Sequence, residues 1–141
     1  MTSALWFEGD DYLEINFDQS IPIYLQIIDE TKRLVATGTL QPRDKLPSQR
    51  DLAAKLKVNA NTVQRAYREM ELLGLVETLR GQGTFIRDDH QIVEDTHREM
   101  LTSLIDDFVE SMLSLGCDEQ EILEQVQNRL NEKGRDKNDT F

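Results

Sequence analysis

A single cysteine, Cys117, is all the chain contains, so no internal disulfide can form, and there is no CxxC or Cys/His ladder from which to build a zinc site. The fold must hold itself together by burial. No apolar run approaches the roughly 20 residues that span a bilayer, and the opening MTSALWFEGDD has neither a basic n-region nor an apolar h-region. A cytoplasmic protein is expected. A large multi-domain enzyme is excluded by length, because 141 residues suit one compact domain or a small domain with a helical appendage. Positive charge is also scarce: 16 Lys and Arg face 27 Asp and Glu, for a net charge of -11. Taken as a sum, that argues against nucleic acid.

The distribution of charge says more than its total. Residues 1–19 carry five acids and no base, residues 20–87 carry 11 bases against 7 acids, and residues 88–141 carry 5 against 15. A basic centre of net +4 thus lies between ends of -5 and -10. Such a layout permits a DNA-contacting module with a non-contacting appendage, without establishing one.

Periodicity divides the chain into elements. In IPIYLQIIDETKRLVATG, residues 21–38, apolar side chains fall at Ile23, Ile27, Ile28, Leu34 and Val35, with Pro22 near the start and Gly38 past the end. The spacing predicts a first helix. Pro42 and Pro47 then interrupt, and Ser48 with Asp51 three residues later forms a capping-box signature for a short second helix from about Gln49 to Leu56. After a break at residues 57–59, Asn59 is a good N-cap for a third helix that places Val63, Ala66, Tyr67, Met70 and Leu73 on one face, with Gly74 as its stop.

The period changes in LVETLRGQGTFIR, residues 75–87, where Leu75, Val76, Leu79, Phe85 and Ile86 bracket a glycine-rich RGQG turn. A two-stranded hairpin is expected. Helical spacing returns from about His90 to Leu115, and a last helix opens at the Asp118 and Glu121 capping pattern and stops near Gly134, leaving residues 135–141 as a frayed tail. Three helices with helix-turn-helix spacing followed by a hairpin describe a winged helix, mostly α with a small β component. The expected division is an N-terminal extension (1–19), a winged-helix domain (20–87), a two-helix segment (88–134) and the tail. Winged helices also bind proteins, so the exposed face of the third helix must carry the functional argument.

On a helical wheel the buried stripe leaves Asn61, Gln64, Arg65 and Arg68 pointing outward, with Asn59 and Ala60 at the N-terminal tip. Asn and Gln can pair bidentately with adenine in the major groove, and a small side chain such as Ala60 can sit against a thymine methyl. The same face would also serve as a plain solvated surface. What decides between these is a set of separated signatures over residues 22–86: PIYLQI, LPSQRDLA, VNANTV, AYREMELLGLVE and GQGTF.

Together these signatures closely resemble the winged-helix domain of the GntR family of bacterial transcription regulators. The short C-terminal part resembles the YtrA-type branch, whose members are dimeric repressors often linked to transporter operons. The resemblance implies a homodimer that binds double-stranded operator DNA. It implies backbone and major-groove contact by Arg50, base and phosphate contacts by Asn59, Ala60 and Gln64, and approach to the minor groove by Arg80 and Gly81. Ser48, Asn61, Thr62, Arg65, Gln82 and Gly83 complete the expected DNA-binding set, with Arg68, Lys45, Lys55 and Lys57 as further sources of positive charge. This chain departs from the family where many relatives have a guanine-reading arginine, at Ala60 and often at Gln64. An operator leaning towards A·T is therefore expected.

The acidic end carries a broad apolar stripe, and Leu101, Leu104, Ile105, Phe108, Val109, Met112, Ile122 and Val126 are the expected dimerisation residues. His90, Glu94 and His97 share a helix face, but nothing else supplies a second-shell partner, so no metal is expected. Cys117 has no base nearby in sequence, and GQG is a lone GxG in a hairpin. Neither an enzyme nor a cofactor is expected. A small-molecule effector stays open, although the 54 residues from 88 to 141 are few for an enclosed pocket. The alternative of a different class is a winged-helix adaptor that binds protein and not DNA.

Overall fold

The computed structural model describes residues 15–138. The elements run α1 (Ile23–Ala36), α2 (Gln49–Leu56), α3 (Ala60–Leu72), β1 (Val76–Leu79), β2 (Gly83–Ile86), α4 (Gln91–Ser114) and α5 (Glu119–Asn138). Two compact units divide at Met100 and Leu101, inside α4.

The first unit is the winged helix. Helix α1 begins at Pro22 with no side-chain cap, and Gln26 of its first turn ties down the segment that leads into it. The Gln26 amide donates to the carbonyls of Asp18 and Ile21, both at 2.8 Å, and accepts from the Asp18 N–H at 2.8 Å. Backbone groups just ahead of the helix are thereby satisfied. Ile27, Ile28, Leu34 and Val35 are buried, and Thr31 joins them because its hydroxyl donates to the Ile27 carbonyl at 2.8 Å. At the far end Gly38 adopts φ +76 and the Leu40 N–H turns back to the Leu34 carbonyl.

Helices α2 and α3 start as their caps predict. Ser48 accepts from the Asp51 N–H at 3.1 Å, and Asn59 accepts from the Asn61 N–H at 2.8 Å. Between them Lys57 takes a left-handed φ of 55, and the Val58 N–H returns to the Ala53 carbonyl. Leu52, Ala53 and Leu56 of α2 and Val63, Ala66, Tyr67 and Met70 of α3 are buried in one core with the inner face of α1. Leu73 departs from expectation: it caps α3 and is 60% exposed. The chain turns at Gly74, φ +75, so that Leu75 fills the place in the core instead.

Strands β1 and β2 pair antiparallel in the register Val76 with Ile86 through Leu79 with Gly83. The stretch between α1 and α2 adds a short third rung that the sequence reading did not anticipate. Lys45 bridges Phe85, with Arg43 N–H to the Ile86 carbonyl at 2.9 Å, Ile86 N–H to Asp44 at 2.8 Å and Leu46 N–H to Thr84 at 2.8 Å. Ile15, Phe17, Ile92 and Val93 pack on the same core, and Thr96 is buried. The unit therefore continues past residue 87 into α4. Trp6 and Phe7 of the N-terminal extension lie outside the described residues.

In the second unit, Asp118 accepts from the Glu121 N–H at 2.9 Å and opens α5. That helix runs on through Gly134 to Asn138, where an end near Gly134 was expected. A mid-helix glycine costs only about 1 kcal/mol, and here it sits among good helix formers, with Arg135 and Lys137 complementing the negative end of the helix dipole.

Tyr67 is the buried polar anchor of α3, its hydroxyl donating to the Pro47 carbonyl at 2.6 Å. Burial, reinforced by the nearby Asp51 charge, raises its pKa well above the ordinary value of 10.0. Because the folded state resists ionisation, the unfolded chain loses its proton first, and stability should fall as pH rises above about 10. Tyr67→Phe should cost about 1 kcal/mol at neutral pH and make the alkaline decline shallower, as read by thermal melts from pH 8 to 11. An unchanged decline would show that Tyr67 is not the group responsible.

Candidate nucleic-acid interface

Three exposed stretches of the first unit carry the residues singled out in the sequence. The first is the start of α2, where the Ser48 hydroxyl oxygen is occupied as a cap and Arg50 projects from the opening turn. The second is the N-terminal half of α3. Asn59, Ala60, Asn61, Gln64, Arg65 and Arg68 are exposed, and Thr62 is half-buried. Among the amides only the Asn59 carbonyl oxygen is engaged, as the N-cap. The third is the wing tip, where the Gln82 N–H closes a turn onto the Leu79 carbonyl at 2.9 Å around Arg80 and Gly81. Gly81 has φ +77, which type II turns require at their third position.

The arginines of these stretches carry unneutralised charge. Among the described residues, ion pairs occupy Lys32, Arg33, Arg43, Arg98 and Arg129. Arg50, Arg65, Arg68 and Arg80 make none. Lys55 and Lys57 are exposed on and just after α2. Lys45 lies over the wing, its Cε only 2.9 Å from where a Cβ on Gly83 would stand. Arg50, Arg65, Arg68 and Arg80, which make no ion pair, remain available to an anionic ligand.

Arg65 is held by an aromatic ring and not by a carboxylate. Its guanidinium carbon lies 3.8 Å from the centre of the Tyr24 ring, and its Nη2 donates to the Tyr24 hydroxyl at 3.2 Å. Sequence reasoning missed Tyr24. The signal was present, since it is the aromatic of PIYLQI, but its partner lies 41 residues away.

The other candidates do not assemble into chemistry. Glu94 accepts from Arg98 at 3.2 Å and from Gln91 at 3.1 Å, and among the described residues no cluster of three possible metal ligands occurs. The Cys117 thiol is pushed above its ordinary pKa by desolvation first, then by Glu121 and Asp118, which disfavours a reactive thiolate. Among the described residues no helix is long and apolar enough to cross a membrane.

This order of helix, helix-turn-helix and hairpin, with a polar recognition-type face, defines a winged helix-turn-helix protein. Residues 23–86 match the bacterial regulatory proteins of the gntR family. YhcF, an HTH-type transcriptional regulator of Bacillus subtilis, is 45% identical over 114 residues, which cover 81% of this chain and 94% of YhcF. The repressor YtrA of the same organism is 48% identical over 77 residues, covering 55% of this chain and 59% of YtrA. Among solved structures, a GntR family transcriptional regulator from Listeria monocytogenes superposes with a TM-score of 0.75 at 38% identity, covering 79% of this chain and 98% of its own. YtrA from Sulfolobus acidocaldarius gives 0.51 at 30% identity, over 85% and 97%. The chain belongs to the GntR family, whose members are transcription regulators and not enzymes.

The two wing glycines make separable demands. Gly81 needs positive φ but has open space around it, whereas Gly83 combines φ +124 with the Lys45 contact. Gly81→Ala should cost about 1–2 kcal/mol. Gly83→Ala should cost more and also displace Lys45, lowering the thermal midpoint further. Equal midpoints for the two variants would remove the basis for placing Lys45 against Gly83.

Proposed function

We propose that the protein is a sequence-specific DNA-binding transcription regulator, a dimeric cytoplasmic repressor of an operon, in the manner of transporter-linked YtrA-type regulators. The observation that carries this reading is the exposed start of α3. Asn59, Ala60, Asn61 and Gln64 form a polar, uncharged tip on a helix whose opposite side is locked into the core. Such a tip suits base edges in the major groove, and its amides and Ala60 suit adenine and the thymine methyl better than guanine. Arg50 and Arg80 would take backbone and groove contacts on either side, with Gly81, Gln82 and Gly83 bringing the wing close to the minor groove. Ser48 and Thr62 can donate to phosphates.

A second copy of the chain completes the reading. In the second unit, no side chain among residues 101–137 is buried. Leu104 is 57% exposed, and Leu101, Ile105, Phe108 and Val126 are exposed with it, while Val109, Met112 and Ile122 are half-buried. A helical pair this small has too little interior to stand alone, and its acidity excludes the duplex as the cover. Pairing of two such segments about a two-fold axis buries the stripe and presents two recognition helices to a palindromic operator.

Selection of duplexes from a random pool by the purified chain at near-physiological salt should yield a two-fold symmetric site whose contacted positions favour A·T. Arg50→Ala should weaken binding to it about tenfold or more. Strict G·C at every selected position would sink the assignment of α3 to adenine and thymine. No enrichment at all would instead favour a protein-binding use of the fold. Replacing both Leu104 and Phe108 with glutamate should give a monomer in sedimentation, with DNA affinity reduced. A variant that remains dimeric would place the subunit interface elsewhere.

A further inference from the structure

Tyr24 stands in the first turn of α1, half-buried, with its ring packed against the core. The Arg65 guanidinium carbon lies over the ring, 3.8 Å from its centre, and one of its donors goes to the phenol oxygen. No carboxylate pairs with it among the described residues, whereas Lys32 and Arg33 on the same α1 surface are neutralised by Glu99, Asp29 and Glu30. An exposed arginine side chain normally samples many rotamers, and fixing it on a ligand costs on the order of 1–2 kcal/mol. Stacking on Tyr24 removes most of that cost in advance. The stack also ties the guanidinium to α1. A cation at the flank of a helix lying in the major groove meets the sugar-phosphate edge and not the bases.

We propose that Tyr24 is a positioning residue that pre-organises Arg65 as a clamp for one backbone phosphate of the bound duplex. Arg65 therefore contributes affinity without reading sequence. The inference rests on the DNA-binding function proposed above. The remaining guanidinium N–H groups form a planar fork that suits two phosphate oxygens, a geometry that lysine cannot reproduce.

The test uses the full-length chain, the duplex enriched from the random pool, and affinity measured across a range of salt, with thermal midpoints as a folding control. Arg65→Ala should lower affinity and reduce the slope of log K against log salt by about one phosphate's worth, 0.9, without changing the selected sequence. Tyr24→Phe keeps the ring and should bind nearly as the natural chain does. Tyr24→Leu should lose about three- to tenfold, and that loss should vanish in the Arg65→Ala background. Arg65→Lys should retain the salt slope yet bind more weakly than the natural chain. An Arg65→Ala variant with unchanged affinity and slope would overturn the proposal, as would losses from Tyr24→Leu and Arg65→Ala that simply add. A changed consensus in Arg65→Ala would make Arg65 a base reader and equally refute the clamp. Failure of the natural chain to bind any duplex would remove the DNA-binding reading itself, a result distinct from all of these.

Discussion

Everything exposed on α3 follows from what is buried on it. Val63, Ala66, Tyr67 and Met70 occupy a single stripe that packs into the core with α1 and α2, and close packing leaves the helix no freedom to rotate about its axis. That constraint fixes which residues face outward as firmly as it fixes which face inward. The amides of Asn61 and Gln64 owe their availability to the burial of Val63 and Tyr67 beside them in sequence. The hydroxyl bond from Tyr67 to Pro47 extends the constraint, since Pro47 directly precedes the Ser48 cap of α2.

Local signals made most of this architecture legible. A cap three residues ahead of its partner, a stripe at helical spacing and a glycine after the last buried residue are encoded within a few positions. The α2 and α3 boundaries and the hairpin could be read directly from them, and the signatures from PIYLQI to GQGTF carried the family. What escaped reading depends on partners distant in sequence. The Lys45 rung sits between two prolines and has no alternation of its own, because β2 organises it from 40 residues further on. The Gln26 bonds to Asp18 reach back eight residues, and the Tyr24 stack reaches across 41. Leu73 was misassigned for a related reason: its place in the helical stripe is correct, but α3 ends one residue earlier and hands the core position to Leu75.

Charge is organised on the same principle of separation. Carboxylates pair with Lys32 and Arg33 of α1, Arg98 of α4 and Arg129 of α5, while Arg50, Arg65, Arg68 and Arg80 of α2, α3 and the wing turn make no ion pair among the described residues. A chain of net charge -11 can thus offer a local cationic surface. Its second unit is acidic and therefore unsuited to a polyanion, in keeping with the DNA contact proposed for the first unit and the self-association proposed for the second.

The bond between Tyr67 and the Pro47 carbonyl also bears on how the protein meets a curved or irregular duplex. Helices α2 and α3 are joined at one end by a three-residue turn and at the other by this bond, so they behave as a stiff wedge with little give between Arg50 and Gln64. On a stiff wedge, any mismatch of shape must be absorbed by the DNA. Base steps that bend easily would then be favoured over rigid ones at positions no side chain touches, and the elastic properties of the spacer would become part of what the protein recognises.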